Sequence, residues 1–470
     1  MTSSTNEATV PDTSAIGDTR PVPGFAGYAG LATRDVTPPV GIRNRNWGPA
    51  TADRAAGVHR PLRLTALAVS EMPESEPVLV IGVDATWWRR VADYARLEHA
   101  LVDGLGISGD RILFCLSHTH AGAVLSEGDA HLPGGDLIAG YLATLREAAV
   151  AAGRQAIDCR EPATIDWATG RCDLAADRES EIAGRAAVGY NPHVTADDTV
   201  LVGRVAAGGR VVGTVVNYAC HATTLAWQNM LLSPDFVGAM RDLVEQATDG
   251  APCLFLQGAS GDLAPREQYV GDTAIADRHG ASLGHAVLSA LAALPPPGTL
   301  LELGGVMESG APLGMWQAAP HPRAGAVRAV RADVELDLRQ LPTLDELAAE
   351  WADIDPESRA ERLRRAADLR TGYIDGPTVR HPLWVLRLGT AVIVAHPGEA
   401  YSEFQKRLRA RFPDLAVVAV NLANGPGFVY LPTDEAYARG AYQAWQTVLA
   451  PGGLRRLTDA AIDQVELIYR

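Results

Sequence analysis

The sequence predicts an α/β fold: a single large domain with a mixed β-sheet and flanking helices. Three observations predict it. Apolar runs of strand length alternate with helical patterns from Tyr28 onward. The runs 78–83 and 112–116 bracket a helical pattern over 91–104, which reads as a strand-helix-strand unit in a largely buried sheet. The chain has 470 residues, 47% hydrophobic and 21% charged, an ordinary balance for a large domain with a real core.

Taken in order, residues 1–22 are polar and read as a disordered tail, and 23–470 as one domain. The run 62–69 is a strand and 137–155 a strong helix. Residues 199–205 and 210–218 form a hairpin around Ala207-Gly208-Gly209. Helices over 235–248 and 273–293 flank a strand at 253–256. The stretch 344–370 is charged and rich in Ala, Leu, Arg and Glu, and reads as an amphipathic helical hairpin broken near Asp355-Pro356. Strands at 383–388, 391–395 and 416–421 follow. There is no internal repeat.

A formal net charge of −15 argues against non-specific nucleic-acid binding and against attraction to an anionic membrane surface. No stretch approaches the roughly 18–20 apolar residues of a membrane-spanning helix. The N-terminus shows neither the basic nor the apolar region of a signal peptide. Five cysteines without CxxC spacing read as free thiols, so a cytoplasmic location is the expectation. Oligomeric state has no signature here.

Chemistry concentrates at three strand ends. Ile112–Leu116 runs into Ser117-His118-Thr119-His120, and in a continuing strand His118 and His120 would share a face. Such a pair binds one metal, or one ring ligates while the other serves as acid or base. The second end delivers His221 within Asn217–Thr224. The third runs through His396-Pro397-Gly398 into Glu399, which needs a cation or a strong donor if it is buried. Two histidines and a glutamate at strand ends make up most of a zinc shell. No GxSxG elbow is present.

From about Tyr28 to Trp445 the chain resembles the neutral/alkaline ceramidase family. The likeness lies in Asp35-Val36-Thr37-Pro38-Pro39-Val40-Gly41, Ser117–Gly122, Asn217–Thr224, Pro397-Gly398-Glu399 and Gly427–Thr433. The resemblance implies a ceramidase-like catalytic domain holding one Zn2+ per chain. Its ligands would be His118, His221, Glu399 and Tyr430. It implies His120 as a catalytic acid/base or a donor to the reacting carbonyl, Tyr442 as a second active-site tyrosine, and Arg185 as an active-site arginine. His396, Asp84 and Asp262 are candidates to support the ligands from behind.

The sequence departs from the family at Ala264, where ceramidases carry serine in the Gly261-Asp262-Leu263-Ala264-Pro265 segment. Family members also end in an immunoglobulin-like domain, whereas only one short helix is expected here after Tyr442. The expected function is zinc-dependent hydrolysis of an amide, ceramide-like or another N-acyl compound. The alternatives are an ester, lactone or cyclic-amide hydrolase, or a zinc-retaining binding protein. The missing hydroxyl favours a smaller, water-soluble substrate.

Overall fold

The computed structural model describes residues 22–374, 376–426 and 429–470. The expected tail therefore lies outside the described residues except for Val22, and so do Gly427 and Phe428. Eight strands form one mixed sheet in the order Cys253–Gln257, Arg210–Tyr218, Thr199–Ala207, Glu161–Arg171, Gly24–Asp35, Arg63–Ser70, Val78–Val83, Ile112–Leu116. The outermost pair on each side is parallel and the inner pairings are antiparallel. The predicted strand-helix-strand unit is present: Val83 pairs with Leu116 across a parallel ladder joined by the helix Val91–Leu105. The predicted hairpin turns at Gly208 and Gly209, both with positive φ (55° and 76°), which glycine adopts without a steric cost.

The central strand Gly24–Asp35 was not anticipated, because glycine and alanine have little strand propensity. Packing explains its composition. A Cβ on Gly30 would sit 2.3 Å from the carbonyl oxygen of Ala156, so only glycine lets the helix Ile138–Asp158 lie directly on the strand. The hairpin Thr299–Glu308 with Pro312–Pro320 and the strand Val327–Asp337 were likewise unforeseen.

A second sheet runs Val327–Asp337, Thr378–Leu388, Ala391–Ala395, Ala416–Val420, with its last pair parallel. Its apolar face shares a core with the first sheet, in which Phe25, Val80 and Leu254 meet Trp384, Ile393 and Val418. Helices Val91–Leu105, Ile138–Asp158 and Gly453–Tyr469 pack on one further core, and Phe236–Ala247 and Thr273–Ala293 on another. The last helix has 17 residues, longer than the short one expected. It buries Leu454, Leu457, Ala461 and Val465 at helical spacing.

Buried amides stitch the sheets together. Asn217 Nδ2 donates to the carbonyls of Leu256 (3.0 Å) and Ala419 (2.8 Å). Asn424 accepts from Phe114 N and donates to the Ile112 carbonyl, each at 2.7 Å. Leaving one such group unpaired costs about 1–3 kcal/mol, so the two sheets hold a fixed register. The register brings the ends of Ile112–Leu116, Arg210–Tyr218 and Ala391–Ala395 to one place.

The segment 344–370 forms two helices, Leu344–Glu350 and Pro356–Arg370. Thr343 and Glu346 make a reciprocal capping box on the first. Asp355 caps the second, with Pro356 in its first turn. This second helix forms one wall of the cavity described next.

Candidate metal centre and catalytic cavity

His118 does not continue its strand. The ladder ends at Leu116, and His118 adopts φ 64°, a left-handed conformation that is uncommon for a side chain with a Cβ. His118 and His120 therefore meet through a turn, with ring centroids 4.7 Å apart, and not through strand alternation as the sequence implied. His221 comes in from the neighbouring strand end, 4.7 Å from the His118 ring. Glu399 and Tyr430 are register partners in a short parallel pair, Glu399–Ala400 with Tyr430–Leu431, which places them side by side. Gly398 must be glycine for that pair to form, since a Cβ there would lie 2.9 Å from the Val429 carbonyl oxygen.

Each metal-candidate ring is oriented from behind. His118 Nδ1 lies 3.3 Å from the Thr86 carbonyl, and His221 Nδ1 lies 2.6 Å from that of Ser260. A ring that donates through Nδ1 to a carbonyl presents a lone pair at Nε2. Both Nε2 atoms face the same Glu399 oxygen, at 3.3 Å from His118 and 2.9 Å from His221. Two lone pairs and a carboxylate oxygen meeting in a buried space repel one another unless a cation or protons sit between them. This donor set fits zinc. One ring nitrogen from each of His118, His120 and His221 also lies within 4.8 Å of the others, so this trio alone could hold a metal ion.

Protonation follows from burial and neighbours. Burial, reinforced by the Arg178 charge, lowers the His221 pKa to about 3. Burial pushes the Glu399 pKa up, but the imidazoles of His118 and His221 outweigh it and hold the carboxyl well below its usual range. At neutral pH the pocket thus offers a carboxylate beside a neutral His221. Burial, with His118 and His221 nearby, also holds His120 well below the ordinary histidine value. Both ring nitrogens of His120 lack a hydrogen-bond partner. Its ring is held between Trp47 and Trp87, each 4.9 Å away.

These groups open into a cavity of about 600 Å3. His118, His120, Glu399, Tyr430 and Tyr442 all line it. Tyr442 Oη accepts from Gln446 Nε2 at 3.0 Å, and its ring lies 6.3 Å from that of Tyr430.

Arg185 is not among them. It sits on an exposed strand, Arg185–Val188, of a surface hairpin whose Val188 alone reaches the cavity. An arginine that does line the cavity beside Tyr430 is Arg178, buried just before that hairpin. It donates to the Gly261 carbonyl through Nε (3.0 Å) and Nη2 (2.7 Å), and Nη2 lies 3.3 Å from Tyr430 Oη. Burial works against its charge, but Tyr430, Tyr269 and Glu399 outweigh that and raise its pKa. The charged pair Asp177-Arg178 after the apolar run Leu174-Ala175-Ala176 was the sequence signal available for it.

The supporting groups also differ from expectation. Asp84 makes a bidentate pair with Arg241 (2.7 and 2.8 Å), and Asp262 binds Ser402 N and Oγ (2.6 and 2.7 Å); neither reaches a histidine of the site. His396 Nδ1 accepts from Gly398 N at 3.1 Å, so it shapes the turn leading into Glu399. It also lies 3.1 Å from His381 Nε2, and His381 Nδ1 lies 2.8 Å from Tyr373 Oη. Ala264 is fully buried, paired with Ala176, and does not line the cavity. The missing serine hydroxyl is therefore absent from behind the site, and the substrate argument built on it loses its pocket.

No protein-family model matches the chain, and no curated protein matches it by sequence. Solved structures do match. Neutral ceramidase from Pseudomonas aeruginosa superposes with a TM-score of 0.66 at 16% identity, covering 96% of this chain and 75% of that one. A ceramidase complexed with C2 gives 0.65 at 14% identity, covering 94% and 75%. The chain has the ceramidase fold. The α/β class and the mixed sheet predicted from the sequence, and the ceramidase-like fold implied by its motifs, are thus borne out. Within the ceramidase fold, the cavity lies where the strand ends of both sheets converge.

A stability prediction follows from the buried histidines. Burial lowers the pKa of His381, like that of His221, to about 3, whereas an unfolded histidine titrates near ~6.5. The folded value lies below the unfolded one, so protons favour unfolding. The contribution of these two rings is constant above about pH 6.5 and falls as pH drops towards 3, by roughly 1.4 kcal/mol per pH unit for each ring. Metal-free protein should show a clearly lower urea midpoint at pH 5 than at pH 7, and His381→Gln should narrow that gap. Equal midpoints would contradict neutral buried rings.

Proposed function

We propose that this protein is a zinc-dependent hydrolase that cleaves the amide bond of an N-acyl substrate. The observation that carries the reading is the meeting of the His118 and His221 Nε2 atoms on one Glu399 oxygen, at 3.3 and 2.9 Å. That constellation opens into a cavity on a ceramidase fold. His118, His221 and Glu399 would hold the ion, with Tyr430 as the fourth donor. Zinc held there would supply Lewis-acid polarisation of the scissile carbonyl and would lower the pKa of a water towards ~7.

The chain's own groups supply the rest. Neutral His120 has unpartnered nitrogens and takes a proton from the attacking water. Protonated, it returns that proton to the leaving amine nitrogen as the carbon-nitrogen bond breaks. Tyr442 and Arg178 are the donors on the cavity wall that can meet negative charge developing on the carbonyl oxygen. Trp47 and Trp87 flank His120 and keep bulk water from it. The same groups suit an ester or lactone, so the test compares substrate classes. Metal-loaded protein should release amine from N-acyl amino acids or short ceramides, and a chelator should abolish the release. Turnover of esters or lactones alone would move the assignment to those bonds. Metal bound without any turnover would make the protein a binder.

A further inference from the structure

Glu399 sits on a weak element. Its strand, Glu399–Ala400, has two residues and pairs with Tyr430–Leu431 in a two-stranded sheet. Behind that strand lies a set of fully buried polar side chains that the reaction above does not use: His381, His396 and Asn421. Burying such groups carries a desolvation penalty unless they pair, and aliphatic side chains would fill the same space without one. Their partners explain their place. His396 Nδ1 accepts from Gly398 N at 3.1 Å, and Asn421 Nδ2 donates to the Ala400 carbonyl at 3.1 Å. The residues on either side of Glu399 are thus both held from behind.

The proton positions follow from these contacts. An amide N–H only donates, so His396 Nδ1 carries a lone pair and the proton of that ring is on Nε2. His381 Nε2 lies 3.1 Å from the same Nδ1 and must therefore donate to it. Neutral His381 then has a bare Nδ1, which accepts from Tyr373 Oη at 2.8 Å. The donors run one way, from Tyr373 through His381 to His396. His396 Nε2 has no partner at hydrogen-bond distance, and beside it lies Asn421, whose Oδ1 is likewise unpartnered. His381 also packs on the turn directly, since a Cβ on Gly398 would lie 3.2 Å from its Cε1.

We infer that His381 and His396, with Asn421, are positioning residues for the metal centre: they fix the residues that flank Glu399 and so aim its carboxylate at the point where His118 and His221 converge. This inference rests on the zinc reading above and adds to it what sets the affinity for the ion.

Zinc affinity, measured by chelator competition on the full chain, tests it. His396→Leu removes the acceptor for Gly398 N and should weaken zinc binding by about tenfold to 10²-fold, the usual worth of a group that orients a metal ligand. His396→Asn places a side-chain oxygen near the position of Nδ1 and should recover most of that loss. A role in packing alone gives the reverse order, because leucine suits a buried site beside Phe404 better than asparagine does. Tyr373→Phe is the milder variant should His396→Leu not fold: it leaves His381 Nδ1 without its donor and should weaken zinc binding by a smaller factor. Hydrogen exchange of the peptide spanning 397–401 gives a readout on metal-free protein, faster in His396→Leu than in the wild type or His396→Asn. A loss of affinity in His396→Leu no larger than that in His396→Asn, or unchanged affinity in all three variants, would overturn the inference. If the wild-type chain binds no zinc, the metal reading fails instead. Exchange alone then decides whether these side chains hold the turn, and equal rates in all variants would overturn that too.

Discussion

Replacing His118 or His221 by alanine is expected to lower bound zinc from about one per chain to background, and turnover with it, because a zinc site is built from about four donors. The two Nε2 atoms converge on one carboxylate oxygen, so removing either ring leaves Glu399 beside a single imidazole. Each ring's Nδ1 is already committed to a carbonyl, which leaves the lone partner no second nitrogen to offer. The variants should still fold, since the sheets are tied through Asn217 and Asn424 and not through the histidines. Elemental analysis of purified variants, with circular dichroism as the folding control, makes the measurement. Undiminished zinc in both would remove the metal centre from this site.

His120→Ala should have the opposite signature: zinc retained and turnover reduced by about 10²–10⁴-fold, the usual worth of a positioned acid or base. The rival is specific, because a His120 nitrogen lies within 4.8 Å of those of His118 and His221. If His120 were a ligand in place of Tyr430, its removal would release the metal and Tyr430→Phe would not. If Tyr430 is the fourth ligand, the pattern reverses. A pH-rate profile adds an independent reading. Burial holds His120 in the folded protein well below the ordinary histidine value, so the acid limb of kcat/KM should lie well below ~6.5. A limb at the ordinary value, or full activity with intact metal, would make His120 structural.

The sequence by itself determined the elements whose residues carry their own signal. Val78–Val83, Ile112–Leu116 and Ala391–Ala395 are apolar runs that can only be buried strands, and the residues that follow them, His118 and Glu399, were legible because buried strands do not deliver polar groups without a reason. His221, after Arg210–Tyr218, was legible in the same way. The Gly208-Gly209 turn was legible because few other residues tolerate positive φ in succession.

What pattern cannot carry is proximity between distant parts of the chain. Gly24–Asp35 is a strand because a helix far along the sequence presses on Gly30, a fact held in packing and not in propensity. Arg178 and Arg185 look alike in sequence, yet one is buried against Gly261 and Tyr430 and the other faces solvent. Ala264 read as a lost substrate contact, but a strand pairing with Ala176 turns it away from the cavity wall. The stretch 344–370 was legible as an amphipathic helical hairpin, but the surface that it covers was not. Only the tertiary structure shows that residues of its second helix, Ser358 and Glu361 among them, help line the cavity, because the position of a helix is set by the surface it covers.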